Sequence, residues 1–378
     1  MTIRLEQLRD LAAAKEFVRS LGPCPIDLPY HTTAWLEAWQ SNLGDLEGCK
    51  PVLLAGLGSA GPACFLPLGL EQRGSLKVLS FLGHNRGNQA TGIWATGSVK
   101  HVETSALRDQ LAEIARDLGA DLIQLANMPS EIDGIANPLL ADKLVPSPSP
   151  VFVGKLNIDF DVLYRETHSK ASRKKLTKKQ ITLEASGEYQ ITAAKTPEQI
   201  ARGLEAFLAQ RAVRAAATGI PNVFVGPQEK TFLQNLLSAE GNDSMPSLKL
   251  WWLECAGSIR ATYLCSRTQD TLIGYANSIS HDDMTPHSPG VVLLKEIICR
   301  ACADPTLKKL DLGLGDERYK RSWTAPCPLV DSNRALSLKG ALALHVFTVK
   351  QTLKAHIRDS EKLWPLVKKM RALRARLG

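Results

Sequence analysis

Two stretches of this 378-residue chain concentrate residues able to do chemistry. In LDLGLGDERYKRSW, residues 310–323, an apolar run with two glycines ends in Asp316, Glu317, Arg318, Tyr319, Lys320 and Arg321. In HSPGVVLLKEII, the small-residue loop His287-Ser288-Pro289-Gly290 opens an apolar helical pattern at about Val291. The first turn of a helix presents backbone N–H groups without intrahelical partners, and its dipole favours negative charge. Gly290 lacks the Cβ that would hold an anion away, so strand, loop and helix together can seat a pyrophosphate. The same residues also fit a plain turn before a buried helix. His281, Asp282 and Asp283, just after the strand pattern IGYANSIS, offer a base or turn chemistry, and strand alternation points Asn277 into the same region.

The familiar phosphate loops are absent. The dinucleotide pattern G-x-G-x-x-G needs a third glycine where this chain has Arg318, and no G-x-x-x-x-G-K-[ST] occurs. No histidine or cysteine spacing fits a zinc site, so no metal is expected. The eight cysteines are scattered apart from Cys299 and Cys302, which sit in an apolar helical pattern and read as buried free thiols.

Positioning these residues takes two domains, the default at this length. In PYHTTAWLEAWQ, Thr32 or Thr33 caps a helix. PVLLAGLG, GPACFLPLGLE and LKVLSFLG form a strand meander, and a helix with Leu107, Leu111, Ile114 and Leu118 on one face precedes the strand DLIQLANM. KLVPSPSPVFVG, with Pro146, Pro148 and Pro150, reads as the interdomain connection. The second half repeats the scheme: helices at about 168–180 and from Pro197, strands LKLWWLEC, IRATYLCSR and TLIGYANSIS, the helix after Gly290, and the strand LKKLDLGLG. Helix, meander, helix, strand occurs twice, which suggests a duplicated α/β unit.

Charge is uneven. Residues 346–378 hold nine Lys/Arg against two Asp/Glu, and residues 165–180 hold seven against one; the rest is mildly acidic within a total of +8. Two local patches argue for local anionic partners rather than nucleic acid along the whole surface. The tail pattern is a basic amphipathic helix, suited to an anionic membrane surface or an acidic partner protein, or else to docking on the core. The helix with Lys170, Arg173, Lys174, Lys175, Lys178 and Lys179 is a solvated face or a phosphate contact. The charged N-terminus lacks a signal-peptide core, and no apolar run is long enough to span a bilayer. A cytoplasmic protein is expected, possible attachment being peripheral at the inner face of the membrane.

SPGVVLLKEII, then about twenty residues, then LDLGLGDERYKRSW resembles the acetyltransferase family associated with bacterial cellulose and exopolysaccharide synthesis. That family is a GNAT-superfamily branch similar to the Fem-type aminoacyl and peptidyl transferases. SRKKLTKKQITLEASGEYQI resembles the basic helix opening its second unit, and PYHTTAWLEAW…FLPLGLE…LSFLG resembles its first. The resemblance implies an α/β (α+β) fold of two tandem GNAT-like units. Each is a mixed, mostly antiparallel sheet flanked by helices: 1–150, degenerate and without a donor site, and 151–345, with the acyl-donor site, followed by a basic tail at 346–378.

By position, Gly290 matches the last glycine before the donor helix. His287, Ser288, Pro289, Gly290, Val291 and Val292 are therefore expected to hold the pyrophosphate of acetyl-CoA or another acyl-CoA, with Arg173 contributing charge. His287 and Val292 depart from the general GNAT pattern. Tyr319-Lys320 with Trp323 resembles the Fem-type FK…F signature. Acyl transfer needs a base, an oxyanion donor and an acid; Asp316, Lys320 and Tyr319 offer these, with His281 a second candidate base, while a solvated charged turn at Asp316 and packing by Tyr319 and Trp323 fit the same residues. The resemblance implies a saccharide or other small-molecule acceptor, and 346–378 facing a membrane or synthase-complex protein. The alternatives are a Fem-like enzyme using aminoacyl-tRNA, the one reading with a nucleic-acid partner, and a non-catalytic adaptor. The loop with His84, Asn85, Arg86 and Asn88 is an acceptor contact or an ordinary exposed loop.

Overall fold

The computed structural model describes residues 2–22, 28–141, 144–238 and 247–359. It divides into one unit of residues 1–150 and 328–357 and another containing 151–327. The fold is mixed α/β, with helices flanking mixed sheets.

In the first unit the strands run in the order Arg4–Leu8, Lys50–Gly58, Gly61–Arg73, Leu76–Phe81, Leu122–Pro129, Leu329–Ala335, Leu144–Pro146. All neighbours are antiparallel except Leu76–Phe81 with Leu122–Pro129, which pair in parallel at Val78↔Leu122 and Leu79↔Ile123. The helix Thr104–Asp117 supplies this parallel crossover, burying Leu107, Leu111, Ala112 and Ala115. Thr32 is the N-cap of Thr33–Trp39, its hydroxyl accepting from the Trp35 N–H.

The second unit repeats the order: Gln190–Ala193, Lys249–Cys255, Ser258–Arg267, Thr271–Ile279, Lys309–Leu314, Val151–Lys155, Pro326–Cys327. Again one pair is parallel, Thr271–Ile279 with Lys309–Leu314, joined by the helix Pro289–Cys302. Period-two alternation turns Trp251, Leu253, Cys255, Ala261 and Tyr263 into a shared core with Val292, Leu293 and Ile297 of that helix. The helix Pro197–Thr218 is fixed at both ends, by a Thr196–Gln199 capping box and by Gly219 in a left-handed C-cap.

Three expectations differ from the structure. KLVPSPSPVFVG does carry the chain from the first unit to the second, at Pro150–Val151, but despite its prolines it also contains two strands, and Val151–Lys155 is an inner strand between Lys309–Leu314 and Pro326–Cys327, with Val151 and Phe152 buried. Residues 328–345 do not stay with the second unit: Leu329–Ala335 pairs with Leu122–Pro129 and completes the first sheet. The tail helix starts at Leu338 rather than 346 and runs to Asp359; residues 360–378 lie outside the described residues.

Candidate active site

The site forms where the parallel pair of the second unit comes apart. Thr271–Ile279 and Lys309–Leu314 pair only at Thr271↔Lys309, Leu272↔Leu310 and Ile273↔Asp311. The next residues of the first strand form a bulge: Cys265 faces Gly274 and Leu264 faces Ala276, so Tyr275 is the extra residue. A bulge bends its strand and sharpens its twist, which carries 274–279 away. Lys309–Leu314 instead follows Val151–Lys155 as far as Val151↔Leu314. The result is a wedge with one strand edge unpaired by any ladder among the described residues.

The Asn277 Nδ2 donates to the Tyr319 hydroxyl across this wedge at 2.7 Å. The Tyr263 hydroxyl, on the neighbouring strand, also hydrogen-bonds Tyr319. Burial pushes both phenols well above the ordinary tyrosine range, so both stay protonated at neutral pH. The Asn277 carbonyl accepts from the Arg211 guanidinium at 3.1 Å, and that guanidinium lies over Phe224 with its centre 4.9 Å from the ring centroid.

At the open end of the wedge the helix Pro289–Cys302 begins. Ser288 precedes it with φ +55°, in the left-handed region, and no side chain caps the helix. The Ser288 Oγ instead accepts from the Lys179 Nζ at 2.7 Å. The Ser288 N–H bonds to the Thr285 carbonyl, the Val291 and Val292 N–H groups both bond to the Ser288 carbonyl, and Pro289 has no N–H. That leaves Gly290 as the backbone donor of this turn. A Cβ at Gly290 would lie 2.8 Å from Ile279 Cγ2, so glycine lets the helix start this close to the diverging strand without displacing that methyl. An uncapped N-terminus beside an ammonium fits an anionic group such as a pyrophosphate.

Residues 170–321 match the acetyltransferase (GNAT) domain family. No curated protein matches the chain in sequence. Among solved structures it is similar to FemX, at 11% identity and TM-score 0.58 over 90% of this chain and 99% of that one. It is similar to a Bacteroides thetaiotaomicron protein of unknown function at 12% identity and TM-score 0.54, covering 89% and 100%. The C-terminal DUF2156 domain of an Agrobacterium fabrum protein matches at 12% identity and TM-score 0.50, covering 90% and 97%. At these identities the likeness is one of fold.

The expected site residues divide. Tyr319 lies in the wedge, while Lys320 points inward and is 3% exposed. Its Nζ donates to the Gly313 carbonyl at 3.4 Å and the Leu314 carbonyl at 2.5 Å, and it pairs with Glu317 at 3.3 Å. Three ammonium protons meet three acceptors. Here Lys320 ties down the strand exit, where Gly313 and Gly315 have φ of +72° and +104°, rather than facing a reacting carbonyl. Burial lowers its pKa. Asp316 is half-exposed and gripped by the Arg321 guanidinium, Nε to Oδ1 at 2.6 Å.

Asp282 and Asp283 both pair with Arg260, at 2.8 and 3.6 Å, and Asp282 Oδ1 accepts from the Met284 N–H, which is turn chemistry. His281 is exposed on that turn. Its Nδ1 lies 3.3 Å from the Ile279 carbonyl, which can only accept. His287 closes the short Thr285–His287 turn. Arg173 is not at the helix start: its guanidinium donates to the His168 carbonyl at 2.6 Å. Lys179, six residues further along, makes that contact instead, and nothing in a run of six cations singles it out. Asp311 is buried and accepts from the Gly313 N–H at 2.7 Å, the structural role its place in a strand suggests. Trp323 packs on Tyr164 and His168, at 5.7 and 4.5 Å between ring centroids.

Tyr263, Arg211 and Arg214 were not singled out from sequence, and Glu317 only as one of a charged run. Glu317 links Lys320 to Arg214, which lies 3.7 Å away. In the first unit, His84 contacts Arg73 at 3.1 Å and Glu71 at 3.5 Å, and Asn85 donates to Glu47 at 2.8 Å. The corresponding gap there is crossed by the loop itself, the Ala90 N–H donating to the Asn127 carbonyl at 3.2 Å. No cluster of His, Cys, Asp or Glu that could hold a metal occurs among the described residues.

Proposed function

We propose that the chain is an acyltransferase that takes an acyl group from acyl-CoA and delivers it to an amine or hydroxyl of a sugar-containing or envelope-related acceptor. The observation that carries this is the wedge itself. The parallel ladder stops after three residue pairs, an uncapped helix N-terminus with Lys179 stands at its open end, and Asn277–Tyr319 spans it. An extended pantetheine arm can pair with the unladdered strand edge, as an added strand would. Gly290 N–H, the helix dipole and Lys179 bind the pyrophosphate.

Attack of the acceptor on the thioester carbonyl forms the new C–N or C–O bond and breaks C–S. Tyr319, kept protonated by burial, gives its proton to the departing thiolate. For the acceptor's proton, Asp316 must first open its fork with Arg321, whereas the His281 ring stands exposed on its turn. The first unit binds no donor in this reading, since its own loop crosses the equivalent gap. The resemblance of 286–323 to the exopolysaccharide-associated branch supports the sugar or envelope acceptor and a cytoplasmic site of action.

A second reading, aminoacyl-tRNA as donor, is favoured by the exposed Lys174, Lys175 and Lys178 on the helix Lys170–Ala185 and by the fold likeness to FemX. Calorimetric titration of acetyl-CoA into the wild type, Gly290→Glu and Lys179→Ala decides between them. Saturable binding that Gly290→Glu abolishes and Lys179→Ala weakens about tenfold, the loss of one charge-assisted contact, is expected. Absence of binding to the wild type, with tRNA binding that salt abolishes, would move the donor to the second reading.

A further inference from the structure

The helix Leu338–Asp359 carries an apolar stripe on its outward side. Leu338, Leu342, Val346 and Val349 are 92%, 68%, 43% and 54% exposed. Their spacings of four, four and three place them within about 80° of arc at roughly 100° per residue. The opposite side is already docked on the first unit. The Ser337 Oγ donates to Asp121 at 2.7 Å, and a Cβ on Gly340 would lie 1.9 Å from the Asp121 carbonyl oxygen. The stripe is therefore not a core face awaiting its own domain. By sequence spacing Leu353 and Ile357 continue it, with Lys350, Lys354 and Arg358 at neighbouring positions.

Charge identifies what covers it. Residues 338–378 hold ten Lys/Arg and two Asp/Glu, which is the whole net charge of +8; the other 337 residues hold 36 of each sign and balance. A second copy of the segment 338–378 would set +8 against +8, so self-pairing is disfavoured. No helix among the described residues is long and apolar enough to cross a membrane. We infer that this helix lies on an anionic lipid surface, its apolar stripe in the headgroup–acyl boundary and its basic residues among the lipid charges. Long Lys and Arg stems reach headgroups from the flanks of such a stripe. This rests on the stripe and the charge and is independent of the acyl donor.

The test is co-sedimentation of the full chain with vesicles of phosphatidylcholine alone and of equimolar phosphatidylcholine and phosphatidylglycerol. Binding to the anionic vesicles, at least tenfold weaker to the neutral ones and weakened by salt, is expected. The double variant Leu342→Glu with Val346→Glu should lose at least tenfold in affinity at unchanged Tm, since both side chains are exposed. If that variant melts early, the charge reversal Lys354→Glu with Arg358→Glu replaces it, with the same loss expected. Equal binding to both vesicles, none to either, or undiminished binding by the variants overturns the inference. So does a dimer in sedimentation equilibrium that Leu342→Glu dissolves while vesicles go unbound.

Discussion

The Asn277 amide and the Tyr319 hydroxyl meet at 2.7 Å between two strands that have ceased to pair. One side chain comes from the bulged strand and the other from the short helix Arg318–Arg321 beyond its neighbour, so the hydrogen bond fixes the width of the wedge. It also holds the phenol in place by a group that titrates with nothing.

Tyr319→Phe keeps the ring and removes the proton. Turnover of acyl-CoA should fall by about 10²- to 10⁴-fold, the range for a positioned acid, with KM for the donor little changed. Folding stability should move by about 1 kcal/mol, one lost hydrogen bond. Because burial raises this phenol's pKa, wild-type activity should show no alkaline limb from Tyr319 below about pH 10, the ordinary tyrosine value. A variant with full activity would remove Tyr319 from the mechanism.

Lys320→Met tests the inward-facing lysine. It leaves the Gly313 and Leu314 carbonyls without their ammonium partner in a buried setting, a loss of about 1–3 kcal/mol seen as a lower Tm. Lys320→Arg should not restore it, because a planar fork does not fit three converging acceptors. An oxyanion role would instead give a variant of wild-type stability with collapsed kcat.

His31 makes the first unit's stability depend on pH. The ring is 2% exposed, accepts the Gly92 N–H on Nδ1 at 3.0 Å, and stacks on Phe81. Burial lowers its pKa to about 4. A histidine depressed in the folded state binds its proton preferentially when unfolded, so its contribution is complete above about pH 6.5 and is lost as pH falls toward 4. About 2.5 kcal/mol should disappear by pH 4.5, and burial of His84 adds in the same direction. Urea unfolding at pH 7 and 4.5 measures this. His31→Gln should be less stable at pH 7 yet flatter with pH; a slope equal to wild type would assign the dependence elsewhere.

What the sequence determined was local. Thr32 and the Thr196–Gln199 pair start helices because caps act within three residues, and the meander strands follow from alternation and glycine punctuation. The glycine loop before the helix at 289 was legible for the same reason, whereas the meeting of Asn277 with Tyr319 was not. Tertiary structure decided the rest. Val151–Lys155 became an inner strand because its partners lie about 160 residues away, beyond what three prolines could veto. Leu329–Ala335 went to the first sheet, which no pattern within it declares. Which cation reaches Ser288, and whether Lys320 faces substrate or its own strand, depended on contacts of 109 and six residues' separation closed by packing. Caps and periodicity are read by neighbours in the chain, whereas partners for strands, buried ammonium groups and helix ends are chosen by whichever distant segment folding brings within hydrogen-bond reach.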